Sequence, residues 1–198
     1  MRFDEDALRE RNPWKTVSEA PDLPFRSFAE LQAAVAKRLY ELDVSYIAAR
    51  ELAPYVRSVG GRLLNMLLTV AYLVVIVGVI AAGLLSARYV LFLGVPVALI
   101  GHFLGNPLNP LRAPMTTLNA ALAVALLITV LTSYAIPAAL LAAFVVPFSA
   151  NRAMYASNVK ALRVALLKSE ALFLNQYSKG GLRLRRIGTT PMEPGHPQ

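Results

Sequence analysis

Hydrophobic positions change their rhythm several times along this chain. Residues 11–26, "RNPWKTVSEAPDLPFR", hold Pro13, Pro21 and Pro24. Prolines at this density favour extended or turn backbone. At "SFAE" a helical rhythm begins. Ser27 and Glu30 are spaced as a capping box, in which side chains satisfy the free N–H groups of a helix start. Leu31, Val35, Leu39, Leu42 and Tyr46 then recur at steps of three and four, one apolar stripe of an amphipathic helix. Lys37 and Glu41 stand on its wet side at the spacing of an ion pair. Pro54 and Gly60-Gly61 mark breaks before the next region. The pattern predicts an extended cytosolic segment over 1–26, then an amphipathic cytosolic helix and linker over 27–62.

From residue 63 the chain turns apolar, in four runs: Leu63 to Ala87, Tyr89 to Gly105, Thr117 to Tyr134 and Ala135 to Ala150. A helix of about 20 apolar residues crosses a bilayer core of about 30 Å. The first run exceeds that length. The other three sit at or below the usual minimum and suit a thin bilayer, or hairpins that do not fully cross. The links "SAR" and "TSYAIP" are short, which pairs the runs into membrane hairpins at 63–105 and 117–150, joined by an Asn-Pro loop at 106–116. Small residues four apart (Gly78 and Ala82, Ala121 and Ala125, Ala138 and Ala142, Ala139 and Ala143) suit close helix packing, within one chain or in a homo-oligomer. After Asn151 an amphipathic rhythm returns over 151–177. Tyr155, Val159, Leu162, Leu166, Phe173 and Tyr177 share one face, with Ser157, Lys160, Lys168 and Asn175 away from it. The Gly/Pro-bearing end, 178–198, reads as a basic disordered tail.

Charge sharpens this layout. The chain has 198 residues and a formal net charge of +8. Residues 1–62 carry ten Lys/Arg and ten Asp/Glu, residues 63–150 only Arg88 and Arg112, and residues 151–198 eight Lys/Arg against Glu170 and Glu193. The basic excess lies mainly in the C-terminal segment rather than on a folded stripe, which argues against nucleic acid. With both termini cytosolic, Arg112 and most other basic residues lie inside and only Arg88 outside, the arrangement the positive-inside rule favours. The N-terminus, "MRFDEDALRE", has acids where a signal peptide needs a basic region, so the leading segment is expected to stay in the cytosol. Arg183, Arg185 and Arg186 are candidates for anionic-lipid contact; the same charges also hold the C-terminus inside.

Candidate chemistry is sparse. There is no cysteine, which excludes disulfides and thiol catalysis. His102, in "GHFLGNPLNPLRAP" (101–114), has no Asp, Glu, Cys or second His within 63–150 to complete a metal or catalytic set. It is expected near a helix end, hydrogen-bonded to a backbone carbonyl or exposed at the interface. Asn106-Pro107 and Asn109-Pro110 suit caps and helix breakers. No catalytic, cofactor-binding or metal residues are assigned, and the chain reads as a non-enzyme without a cofactor.

One segment carries a resemblance. "NPWKTV" (12–17), the proline-bearing linker and "RSFAELQAAVAKRLYELDVSYI" (26–47) resemble the entry segment of prenylated Rab acceptor family proteins. Pro13, Trp14, Phe28, Glu30, Leu31, Val35, Leu39 and Tyr46 fit its pattern. The chain departs from it at Ala34, where the family usually has Arg, and at Arg38 and Ser45, where it has Asn. A polar stretch from Ala48 to Arg62 also precedes the first span. The resemblance implies a role in vesicle-mediated transport, in endoplasmic reticulum and Golgi membranes, through prenylated small GTPases. Pro13, Trp14, Glu30 and Tyr46 are then the candidate partner-binding residues.

The expectation is therefore an all-α integral membrane protein, with four apolar helices in two hairpins and amphipathic cytosolic helices before and after. Its partners are the lipid bilayer and prenylated small GTPases, and its role is that of a membrane adaptor or organiser. A small oligomeric pore or transporter, or a bacterial inner-membrane assembly subunit, are the alternatives.

Overall fold

The computed structural model describes residues 4–106 and 112–187, with the backbone alone at 112 and 113. In chain order its elements are α1 (Glu5–Arg11), a 3-10 turn (Val17–Glu19), α2 (Phe28–Ala36), β1 (Tyr40–Val44), α3 (Tyr46–Val56) and α4 (Val59–Leu85). A second 3-10 turn (Tyr89–Leu93), α5 (Gly94–Leu104), α6 (Arg112–Leu131), α7 (Ala135–Leu166), α8 (Glu170–Ser178) and β2 (Leu182–Arg186) follow. They divide into two units. A terminal unit combines the chain up to Val56 with the chain from Asn158 onward, and a central unit runs from Arg57 to Ser157.

The terminal unit has one apolar core built from both chain ends. Val17, Phe25, Leu31, Leu42, Val44 and Ala49 come from the first part; Leu162, Leu166, Leu172, Phe173, Leu174 and Leu182 from the second. Each part covers apolar side chains of the other in this core. β1 and β2 pair antiparallel, Tyr40 opposite Arg186 and Val44 opposite Leu182.

Several sequence expectations are corrected in this unit. The helix begun at Ser27 does not reach Tyr46; it stops at Ala36. Arg38 then takes a positive φ of 57°, which no α-helix allows. Leu39, expected on the apolar stripe, is exposed. Beyond it Leu42 and Val44 are buried while Asp43 is exposed, the alternation of a strand. Glu41 does not pair with Lys37; it takes Arg163 at 3.2 Å and Arg185 at 3.0 Å. The expected linker holds helix α3, with Pro54 inside it.

At the other end α7 runs unbroken through Asn151 to Leu166, so the fourth apolar run and the start of the amphipathic segment are one helix. The break comes at 167–169, where Ser169 Oγ accepts the Leu172 N–H at 3.3 Å and opens α8. Leu162, Leu166 and Phe173 are buried as their stripe predicts, but so is Asn175, expected on the wet side. The expected disordered tail begins too early, since Leu182–Arg186 is a strand; its stretch from 188 lies outside the described residues.

The protein is mostly helical, with the small sheet added to the expected all-α layout. Val59–Leu85, Pro114–Leu131 and α7 are long and apolar enough to cross a membrane, and Tyr89–Leu104 is a shorter apolar segment. Of their most apolar stretches, about a tenth of the first, none of the second and a third of the third is buried within the protein. That much exposed apolar surface is compatible with a lipid environment. Of the loop expected at 106–116, the part from Arg112 onward is helical, in α6; residues 107–111 lie outside the described residues. Of the marked small residues Ala143 is fully buried, in a cluster with Val79 and Ala98, and close packing also occurs at glycines the pairs did not mark. A Cβ on Gly101 or Gly105 would meet the carbonyl oxygen of Phe144 at 2.5 Å or Phe148 at 2.8 Å, whereas Gly78 faces open space.

Candidate functional site

The four candidate partner-binding residues all lie in the terminal unit, at three separate places along the chain. Pro13 and Trp14 sit just after α1, with Pro13 exposed and Trp14 half-buried. The segment around them is stapled to α8. Asn12 Nδ2 donates to the Ala171 carbonyl at 2.8 Å, Asn175 Nδ2 donates to Asn12 Oδ1 at 3.1 Å, and the Val17 N–H donates to Glu170 Oε1 at 2.8 Å. Trp14 packs at 6.1 Å on Tyr177, Tyr177 stacks at 6.2 Å on Phe173, and Phe173 meets Phe28 edge-on at 6.1 Å. This aromatic ladder joins the two chain ends.

Glu30 and Tyr46 stand elsewhere. Ser27 Oγ accepts the Glu30 N–H at 3.2 Å, as the capping box predicts. The returning carboxylate, however, takes the N–H of Arg26 at 2.7 Å, one residue earlier than the motif requires. Glu30 is therefore engaged in starting α2. Tyr46 is half-buried at the first position of α3. Tyr177 and Phe173, which complete the ladder with Trp14, were legible only as members of an apolar stripe. Nothing local linked them to a tryptophan at the opposite end of the chain.

Two groups in this unit have displaced pKa values. The Glu19 carboxyl is held below its usual range, first by the Lys15 N–H (2.9 Å) and then by the Thr16 hydroxyl (2.9 Å). The Tyr177 hydroxyl is pushed up by burial and by the negative charge of Asp22, and donates to the Pro21 carbonyl at 3.3 Å.

Arg183, Arg185 and Arg186 are exposed on β2. Arg183 lies in register with Asp43 and Arg185 with Glu41, so part of their charge answers the acids of β1.

In the central unit the His102 ring lies 4.3 Å from the Tyr72 ring. Its own backbone carbonyl accepts from buried Asn151 Nδ2 at 2.8 Å, so the hydrogen bond runs through the backbone rather than the imidazole. Arg57 donates to the Gly61 carbonyl at 2.6 Å and to Ser157 Oγ; burial lowers its pKa. Among the described residues no three His, Asp or Glu side chains gather as a metal site would require.

By length and composition, the chain falls in the class of mostly helical proteins with helices long and apolar enough to cross a membrane. Comparison with protein-family models, curated proteins and solved structures found no match.

Proposed function

We propose that this protein is a non-enzymatic membrane adaptor, whose apolar hairpins hold a folded cytosolic unit at the bilayer. The observation that carries this reading is the pairing of β1 with β2 in one terminal unit. A chain that leaves and re-enters the same folded unit must cross the membrane an even number of times. Three helices have the length to cross, and the shorter Tyr89–Leu104 supplies the fourth crossing in this reading. Both ends then share one side, which the basic residues assign to the cytosol.

Single cysteines placed at Arg88, Arg112 and Ser133 test the topology, since no native cysteine interferes. Impermeant labelling from outside is expected at Arg88 and Ser133 and not at Arg112; external labelling at all three, or only at Arg112, overturns the arrangement.

The partner class we propose is the prenylated small GTPase of the Rab type, supported by the likeness of residues 12–17 and 26–47 to the prenylated Rab acceptor entry segment. Trp14 is its best-placed contact, half-buried on the aromatic ladder. Co-precipitation with prenylated and unprenylated Rab proteins tests this. Enrichment no greater than for an unrelated four-span protein removes the GTPase and leaves the topology standing.

A further inference from the structure

A cavity of about 450 Å³ opens in the terminal unit between α1, α3, α8 and the turn that leads from α8 to β2. Pockets of this size hold small organic ligands. Leu8, Ile47 and Leu52 supply apolar lining. Two exposed residues of opposite charge, Glu51 and Lys179, also line it, and neither forms an ion pair among the described residues.

The decisive group is Gln176. It is only 7% exposed and lines the cavity. Its Nε2 stands 3.4 Å from Asn175 Oδ1, while its Oε1 accepts no hydrogen bond among the described residues. The neighbouring polar groups are already matched. The Ala48 N–H donates to Ser45 Oγ at 3.1 Å, the Ser45 N–H to the Gly181 carbonyl at 2.9 Å, and the Gly181 N–H to the Gln176 carbonyl at 2.9 Å. Gln176 Oε1 is thus an acceptor at the cavity wall that no donor among the described protein residues engages. Gly181 keeps that acceptor open, since a Cβ there would meet Gln176 Oε1 at 2.6 Å.

We propose that this cavity binds a small zwitterion with an apolar side, an α-amino acid or short peptide with a leucine-like side chain. The ammonium is shared by Glu51 and Gln176 Oε1, the carboxylate goes to Lys179, and the side chain lies along Leu8 and Leu52. An amine or an acid alone would leave one of the two charges unanswered; a zwitterion answers both. The site is independent of the adaptor reading.

The test is ligand-induced thermal stabilisation of the full chain in detergent, with isothermal titration. The probes are L-leucine and leucyl-leucine, against N-acetyl-leucine, which lacks the ammonium, and leucinamide, which lacks the carboxylate. At least one zwitterion is expected to bind ten-fold or more tightly than both analogues. Glu51→Gln should erase the preference over N-acetyl-leucine, and Lys179→Met the preference over leucinamide; both positions are exposed, so the variants should fold. Gly181→Ala should weaken zwitterion binding with the circular dichroism spectrum unchanged. No binding of either zwitterion at millimolar concentration overturns the proposal. So does equal binding of the analogues, or binding that ignores both charge substitutions.

Discussion

Gly101 lies against the backbone of Phe144, where a Cβ would come within 2.5 Å of the carbonyl oxygen. Backbone cannot swing aside as a flexible side chain can, so an added methyl must push α5 and α7 apart. Overpacking of this kind costs about 1–3 kcal/mol. Gly101→Ala is expected to destabilise the protein by that amount in detergent unfolding followed by circular dichroism. Gly78→Ala, with nothing within 4 Å of its Cβ, should be neutral or stabilising by up to about 1 kcal/mol through helix propensity. Equal effects at the two sites would contradict the close approach.

Glu41 bridges Arg163 and Arg185, but its side chain is 39% exposed and that of Arg185 is 75% exposed. Exposed ion pairs contribute about 0–1 kcal/mol each and weaken with salt. Glu41→Gln should therefore cost little, and less at high salt. Leu182→Ala, at the far end of the same strand pair opposite Val44 and at a residue 1% exposed, should cost about 2–5 kcal/mol. Trp14 is the sole tryptophan and lies in the terminal unit, so its fluorescence during urea unfolding reports on both variants.

Asn12 and Asn175 are each 5% exposed and hydrogen-bonded to one another. Asn12→Ala leaves the Ala171 carbonyl and the Asn175 amide without their partner, at about 1–3 kcal/mol. The double variant Asn12→Ala/Asn175→Ala should cost clearly less than the sum of the singles, because each single exposes the same broken contact. Additive costs in chemical unfolding would show that the two amides act separately.

Glu19 gives a pH signature. Its folded-state pKa lies below its unfolded value because the Lys15 N–H and the Thr16 hydroxyl favour the ionised form. Its contribution is present above the unfolded pKa and is lost as pH falls through the folded pKa. The stability difference between the protein and Glu19→Gln should thus hold from neutral pH down through the ordinary carboxylate range and shrink only as pH falls below it. A difference already lost within that range would mean that the carboxyl is not held as described.

Much of the central unit was legible locally. The run beginning at Leu63 is apolar over a membrane-crossing length whatever surrounds it, and α4 appears there. The start of α2 was legible too, because Ser27 caps from its own sequence neighbourhood. The candidate partner site was less so. Trp14 was visible as a single unusual residue, whereas its ladder with Tyr177, Phe173 and Phe28 joins residues from opposite ends of the chain. The cavity around Gln176 left no sequence signal, since its lining comes from α1, α3 and α8.

By itself the sequence determined composition-driven features: which stretches are apolar enough to seek lipid, where a cap starts a helix, and where charge gathers. Tertiary structure decided what the ambiguous stretches became. Leu31, Val35, Leu39, Leu42 and Tyr46 satisfy a helical period, yet Leu42 and Val44 also satisfy the alternation of a strand. The choice fell to the strand because Leu182–Arg186 supplies a partner for its backbone and a covered face for its side chains. Periodicity measures only neighbours in sequence, and a partner strand from the far end of the chain lies beyond its reach.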